Sequence, residues 1–186
     1  MIEAEYKARL GDPDVVRANL RQRARSENVS YRDVYFDRGN ELGQAGRDFR
    51  LRTIIGEDET RYLLTFKDSA VDSETASKPE FETVIGEREP MEEIIARLGY
   101  LPVMELTKQC ENFRFVSHGR KLLATVVTVP EIEGTFLELE TQATEENLRA
   151  VLRDLRMVLA ELGVSEDELT AELYTDAVAE ARRRLG

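Results

Sequence analysis

Glu3, Glu5, Lys7 and Arg9 alternate with Ile2, Ala4, Tyr6, Ala8 and Leu10 at the start of the chain. Successive side chains of a strand point to opposite faces, so the alternation predicts a strand with one apolar and one charged face. Two carboxylates then stand about 7 Å apart along that face, with two cations beyond them. Carboxylate oxygens suit a hard divalent cation, and Lys and Arg beside them suit phosphate oxygens. The pattern recurs. Arg50 and Arg52 alternate with Phe49 and Leu51; Arg61, Thr65 and Lys67 alternate with Tyr62, Leu64 and Phe66; Glu80 and Glu82 flank Phe81. Lys108 and Arg114 share a parity opposite to Phe113 and Phe115, and Glu138 and Glu140 alternate with Leu137 and Leu139. One such strand reads as an edge strand with a solvated face. Repeated E-x-E and R-x-R pairs of mixed sign instead point to a sheet closed so that its charged faces converge on a lumen for a polyanion and its metal ions.

The elements that must position these residues can be read along the chain. Asp12 and Pro13 open a helix running to about Arg25. A strand from about Val29 to Phe36 follows, then turns at Asp37–Asn40 and at G-Q-A-G before the R-L-R strand. Gly56–Thr60 separates that strand from the one ending at Lys67. The small polar residues from Ser69 to Lys78 predict a mobile loop. A strand through Glu80–Ile85 precedes a helix from Pro90 to Leu98, stopped by Gly99. Long strands over about Met104–Val116 and Lys121–Val129 flank an S-H-G-R turn, and Gly134 opens the last strand. Thr144 caps a helix carrying Leu148, Val151, Leu152, Leu155, Val158, Leu159 and Leu162 at helical spacing. Ser165 with Glu168 forms a capping box for a final helix. The expected fold is α+β: a closed antiparallel barrel of about eight strands with flanking and C-terminal helices, in one domain over residues 1–186.

Composition narrows the chemistry. A net charge of −11 argues against a nucleic-acid partner, while local charge still permits an anionic ligand. The single Cys110 excludes an internal disulfide and suits a reducing cytoplasm. No apolar run reaches membrane-spanning length, so a cytoplasmic protein without a membrane partner is expected; a homodimer is left open. With one histidine, His118, in a turn, a metal would be carboxylate-bound, which points to Mg2+ or Mn2+ ahead of zinc. Lone Cys110 reads as packing, His118 as a surface residue, and Arg182–Arg184 as cations suited to a helix end.

With these residues in view, the chain resembles the CYTH superfamily, the triphosphate tunnel metalloenzymes. E-x-E-x-K is present as Glu3, Glu5 and Lys7; Y-x-D as Tyr35-Phe36-Asp37; R-x-R as Arg50 and Arg52; T-F-K as Thr65-Phe66-Lys67. R-x-E-x-E is matched by Lys78, Glu80 and Glu82 with Lys for Arg, and G-x-F-x-E-x-E by Gly134, Phe136, Glu138 and Glu140. Tyr174 and Asp176 match a C-terminal S-Y-x-D-L-L element. Elements in order over nearly the whole chain are specific where E-x-E-x-K alone is weak, and the C-terminal helices look most like the class IV adenylate cyclase and thiamine triphosphatase-like branch. Two positions depart from the pattern. The usual K-x-R is Lys108-Gln109-Cys110, with Arg114 further along the same face, and the usual Asp on the next strand falls near Val127-Thr128-Val129.

The resemblance implies a tunnel in which Arg50, Arg52, Lys67, Lys108 and Arg114 bind phosphate oxygens of a small triphosphate substrate such as ATP or tripolyphosphate. Glu3, Glu5, Glu138 and Glu140 would hold one or two Mg2+ or Mn2+ ions. Lys7 and Glu82 are the catalytic candidates, to orient the nucleophile or steady the acidic cluster; beside two glutamates, Lys7 also reads as a structural ion-pair partner. Tyr174 would close one tunnel mouth. The implied activity is ATP to cyclic AMP and pyrophosphate, with a triphosphatase as the alternative on the same scaffold. A non-catalytic triphosphate- or nucleotide-binding module is a third reading, disfavoured by so many inward carboxylates.

Overall fold

The computed structural model describes residues 1–72, 75 and 77–185. Eight strands run in sequence as β1 (Ile2–Arg9), β2 (Ser26–Asp37), β3 (Asp48–Ile55), β4 (Thr60–Lys67), β5 (Lys78–Ile85), β6 (Leu101–Ser117), β7 (Arg120–Thr128) and β8 (Phe136–Ala143). They close into an antiparallel barrel in the order β1-β5-β4-β3-β2-β6-β7-β8. The strands keep the alternation of their sequence, with the charged faces of β1, β3, β4, β5 and β8 turned inward. The main apolar core therefore lies outside the barrel wall. Ile2, Ala4, Tyr6, Ala8, Leu137 and Leu139 face outward and are covered by α4 (Leu148–Leu162) and by Val16 and Leu20 of α1 (Pro13–Arg21). On the opposite side α3 (Arg88–Arg97) seats Ile95 against Val34, Phe36 and Leu51. The helices supply most of the hydrophobic burial, while part of the interior is apolar too, where Val29, Leu106, Cys110 and Val127 pack together.

The barrel closes through an uneven seam. Among the described residues, β1 pairs with β5 at Ile2↔Pro79 and Glu3↔Lys78. One step on, the Glu5 backbone N–H donates instead to the Ser77 hydroxyl at 3.2 Å, which also accepts the buried Thr75 hydroxyl at 2.7 Å. Beyond that, Thr170 N–H donates to the Lys7 carbonyl at 2.9 Å and Leu169 bridges Ala8. Two segments far apart in sequence, residues 77–79 and 169–170, thus satisfy one edge of β1, as a buried backbone requires.

Several local expectations are corrected. The first helix ends at Arg21, four residues early, because Arg23 and Ala24 both turn their N–H groups to the Leu20 carbonyl and Ser26 already pairs with Phe113. The G-Q-A-G turn is partly a short helix, α2 (Glu41–Gln44). It is held by Asp37, whose carboxylate accepts the N–H groups of Leu42 and Gly43 at 3.0 Å each. Asn147, not Thr144, is the N-cap of α4, and its side chain accepts the Thr144 N–H at 2.9 Å. The Ser165–Glu168 box exists but closes a 3-10 turn at Glu166–Glu168. Because Leu169 and Thr170 then pair with β1, the last helix, α5, waits until Tyr174–Leu185. Of the loop expected to be mobile, residues 73, 74 and 76 lie outside the described residues, while Thr75 and Ser77 are buried. His118 and Gly119 have φ of 49° and 71°, the left-handed pair that a tight hairpin needs. Among the described residues no helix is long and apolar enough to cross a membrane.

Candidate active site

The inward faces enclose a cavity of about 430 Å³ whose wall carries eight Lys or Arg and seven Glu or Asp side chains. All eleven residues singled out in the sequence line it: Glu3, Glu5, Lys7, Arg50, Arg52, Lys67, Glu82, Lys108, Arg114, Glu138 and Glu140. Alternation alone brings them to one face of each strand, and closure of the sheet brings the faces together.

Three of the four expected metal-binding glutamates form one cluster. Glu3, Glu5 and Glu140 offer carboxylate oxygens that all lie within 4.8 Å of one another, and Glu5 stands directly opposite Glu140 in the β1–β8 register. The three are not equivalent. Glu3 is ion-paired with Lys67, which also lies 2.9 Å from Glu80. Against its burial, Lys67 and Glu80 hold the Glu3 carboxyl below the ordinary range. Burial, then the neighbouring charges of Glu138 and Glu3, push Glu5 up to about 7. Burial with Glu3 and Glu5 pushes Glu140 well up too. Among the described residues no protein cation bonds the Glu5 or Glu140 carboxylate. An oxygen-only set with two repelling, unpaired carboxylates fits a hard divalent cation such as Mg2+ or Mn2+. Glu138 sits apart from this set, paired with Lys108 at 3.0 Å.

The cations gather around the same space. Arg50 and Arg52 project from β3, and Lys108 from β6. The Lys7 ammonium donates to the Glu172 carbonyl and lies 4.6 Å from the Tyr174 ring centroid, with Lys108 at 4.3 Å from the same ring. Tyr174, at the start of α5, is 8 % exposed and borders the cavity beside these two lysines. Arg114 is exposed at the wall, and Glu82, also exposed, accepts the Thr65 hydroxyl at 2.9 Å.

Sequence reasoning missed part of the wall. Lys78 was matched to a motif but not placed in the site; it lines the cavity and binds Asp48 at 2.6 Å. Tyr31 and Thr125 line it as well, and so does Arg61, which the alternation had put on a charged face without a role. Asp33 was missed entirely, although it is 0 % exposed and paired with Arg52. The parity of Tyr31, Asp33 and Tyr35 on β2 was the signal that could have found it.

Both departures from the family pattern fall in or beside apolar surroundings. Cys110 packs in a buried cluster with Val29, Leu106, Val127, Val129 and Phe136, and burial pushes its thiol up to about 12. Thr128 borders a groove on the outside of the barrel with Arg17 and Gln109, so the inward positions at this point of β7 are the valines.

The model of the CYTH domain matches residues 1–174. A Methanocaldococcus jannaschii protein named "putative adenylate cyclase" is 26% identical over 184 residues, covering 95% of this chain and 98% of its own. A solved Pyrococcus horikoshii structure superposes with a TM-score of 0.83 at 22% identity, covering 96% of this chain and 98% of its own. A Hippeastrum structure, a "putative adenylyl cyclase" with "a dominant" triphosphatase activity, superposes with a TM-score of 0.64 at 14% identity, covering 97% and 96%. The structural likenesses speak to the fold: the closed eight-stranded barrel is the one these proteins share.

Proposed function

This chain belongs to the CYTH domain family, and from that premise we propose that it is a divalent-metal-dependent enzyme acting on a triphosphate held in the barrel. The observation that carries this reading is the meeting of the Glu3–Glu5–Glu140 cluster with eight cations in one cavity. A bare anion site would not place two unpaired carboxylates beside its arginines, because they would repel the ligand. A polyanion that brings Mg2+ or Mn2+ meets both sets.

In this reading Glu3, Glu5 and Glu140 would hold the ion, with Glu138, now paired with Lys108, as the fourth carboxylate available to it. The bound ion would supply charge neutralisation on the phosphate oxygens. Arg50, Arg52, Lys67 and Lys108 grip the chain, arginine by its fork and lysine as a point charge. Lys7 and Glu82 are the candidates for orienting the attacking group, with Lys7 also tied to the C-terminal segment through Glu172. In the cyclase reaction, the 3′-oxygen of ATP bonds to the α-phosphorus as the α–β bridging P–O bond breaks. Pyrophosphate leaves, and the 3′-hydroxyl proton passes to a base. Lysine and arginine charges around the departing pyrophosphate lower the cost of that step.

The cyclase reading is put first because the Methanocaldococcus relative so named aligns nearly end to end. Triphosphate hydrolysis is the second reading, favoured by the activity named for the Hippeastrum neighbour: the oxygen of water bonds to the terminal phosphorus as its bridging P–O bond breaks, the diphosphate part leaves, and the terminal phosphoryl group is released as orthophosphate. Phosphorus NMR of the purified protein with Mg2+ or Mn2+, given ATP and tripolyphosphate separately, decides. Cyclic AMP with pyrophosphate establishes the cyclase, and orthophosphate establishes the triphosphatase. Shifts on binding without turnover move the binding-module reading to the front. No binding and no turnover overturn the reading of the cavity.

A further inference from the structure

Asp33 is fully buried on β2, opposite Arg52 in the β2–β3 register. Its two carboxylate oxygens accept from Arg52 Nε and Nη2, each at 2.7 Å, and Arg50 Nη1 lies 3.6 Å from one of them. The Arg52 guanidinium also lies 4.2 Å from the Tyr31 ring centroid. One edge of the guanidinium is thus held by a carboxylate and one face by a ring. A guanidinium has five donors in a fixed fork. Asp33 takes two, leaving the remaining donors for the cavity that Arg52 lines.

We propose that Asp33 is a positioning residue for the ligand's phosphates: it touches no ligand itself and fixes the direction in which Arg52 presents its free donors. This rests on the reading of the cavity as a triphosphate site. Two effects of the Asp33 charge oppose each other. It dilutes the attraction of Arg52 for an anion, and it prevents Arg52 from collapsing onto the lumen acids. The second wins, because a released Arg52 does not become a free cation. Glu138 already feels the Arg52 charge and would capture it, taking a cation from the ligand and a carboxylate from the ion site together. Arg50, two residues along the same strand, would meanwhile lose the carboxylate that separates it from Arg52.

The test is calorimetric binding of tripolyphosphate with Mn2+ by wild type, Asp33→Asn, Arg52→Lys and the double variant, all checked for native circular dichroism. Asp33→Asn is nearly isosteric and is expected to weaken binding about tenfold. Arg52→Lys removes the fork, so adding Asp33→Asn to it should cost no further affinity. Binding by Asp33→Asn within twofold of wild type, or losses that multiply in the double variant, overturns the proposal. Where the variants do not fold, proton NMR of the wild-type arginine Nε–H signals decides. A slowly exchanging Arg52 signal that persists when tripolyphosphate is added supports the held fork; its loss refutes it. Wild type that binds neither tripolyphosphate nor ATP overturns the reading of the cavity and this proposal with it. Wild-type binding that is unaffected by Asp33→Asn overturns this proposal alone.

Discussion

Glu5 and Glu140 face each other across the β1–β8 ladder, two carboxylates in directly opposed positions with no protein cation bonded to either among the described residues. A directly opposed like-charge pair destabilises a sheet, and burial makes it worse. The arrangement is tolerable in two ways: the pair keeps protons, or a cation replaces them. On the proposed reading, that choice would make the site exchange protons for metal and tie its behaviour to pH.

The exchange predicts a pH-dependent metal affinity. Glu5, pushed up to about 7 by burial, Glu138 and Glu3, must lose its proton before an ion can bind. Apparent Mn2+ affinity should rise at least about tenfold per pH unit below that value, more steeply where Glu140, also pushed well up, gives up a proton as well. Calorimetry in two buffers of different ionisation enthalpy should show proton release on binding near pH 6. Equal heats in both buffers would exclude the exchange.

Stability without metal should fall as pH rises. Below the ordinary carboxylate value of 4.5, Glu5 is protonated in both folded and unfolded chains. Between 4.5 and about 7 only the unfolded chain releases that proton, so unfolding is favoured, by up to about 1.4 kcal/mol per pH unit for this one group. Glu140, also pushed well up by burial, Glu3 and Glu5, adds a loss of the same sign. Asp33, kept low against its burial by Arg52 and Arg50, is ionised throughout the window and adds no slope. Thermal melts with a chelator should show the decline, Glu5→Gln should flatten it, and added Mn2+ should oppose it.

Ser77 should matter to the ion through Glu5 alone. Its hydroxyl stands in for a strand neighbour at the Glu5 N–H, one step past the last β1–β5 pair. Ser77→Ala leaves that N–H to water and loosens the strand between Glu3 and Glu5. Mn2+ affinity, read by electron paramagnetic resonance, should drop about tenfold, while Ser77→Thr, which keeps the hydroxyl, should recover it. A Ser77→Ala protein with wild-type affinity would remove Ser77 from the site.

The charged wall was legible because period-two alternation survives any register: Glu3, Arg50, Lys67 and Glu138 had to share a parity with their neighbours whichever strands met. Partnerships were not legible. That Lys108 pairs with Glu138, thirty residues away, depends on how β6, β7 and β8 align. Asp33 escaped notice since its strand is otherwise aromatic and apolar inward, and only its pairing with Arg52 gives it a role. The capping box at Ser165 was read correctly as chemistry but placed on the wrong element. The sequence carries no local sign that Leu169 and Thr170 would be drawn onto β1.

Truncating the acidic cluster should separate chemistry from folding. Glu3→Ala, Glu5→Ala and Glu140→Ala should each cut metal-dependent turnover by a factor on the order of 100 or more. Glu140→Ala should leave the fold least disturbed, since it relieves repulsion without orphaning a cation. Glu3→Ala should cost the most stability, because Lys67 is left buried with Glu80 alone. Full activity in all three variants would refute the ion site.

Restoring an arginine at Cys110 should harm the protein rather than improve it. The side chain packs with Val29, Leu106, Val127 and Phe136, its register partner on β7 is Val127, and the carboxylates that act on it, Glu138 and Asp33, are already paired with Lys108 and Arg52. A guanidinium there would be a buried, unpaired charge two residues from Lys108 on the same strand face, a class of change costing about 3–5 kcal/mol. For a chain of this size that is a fall in Tm of roughly 6–20 °C. Cys110→Ser, which introduces no charge, should cost far less. A Cys110→Arg protein melting at the wild-type temperature would mean that position 110 opens to the lumen and that the family arginine can be accommodated. The expected fall would mean that position 110, as it is packed with Val127 and its neighbours, cannot take a further cation.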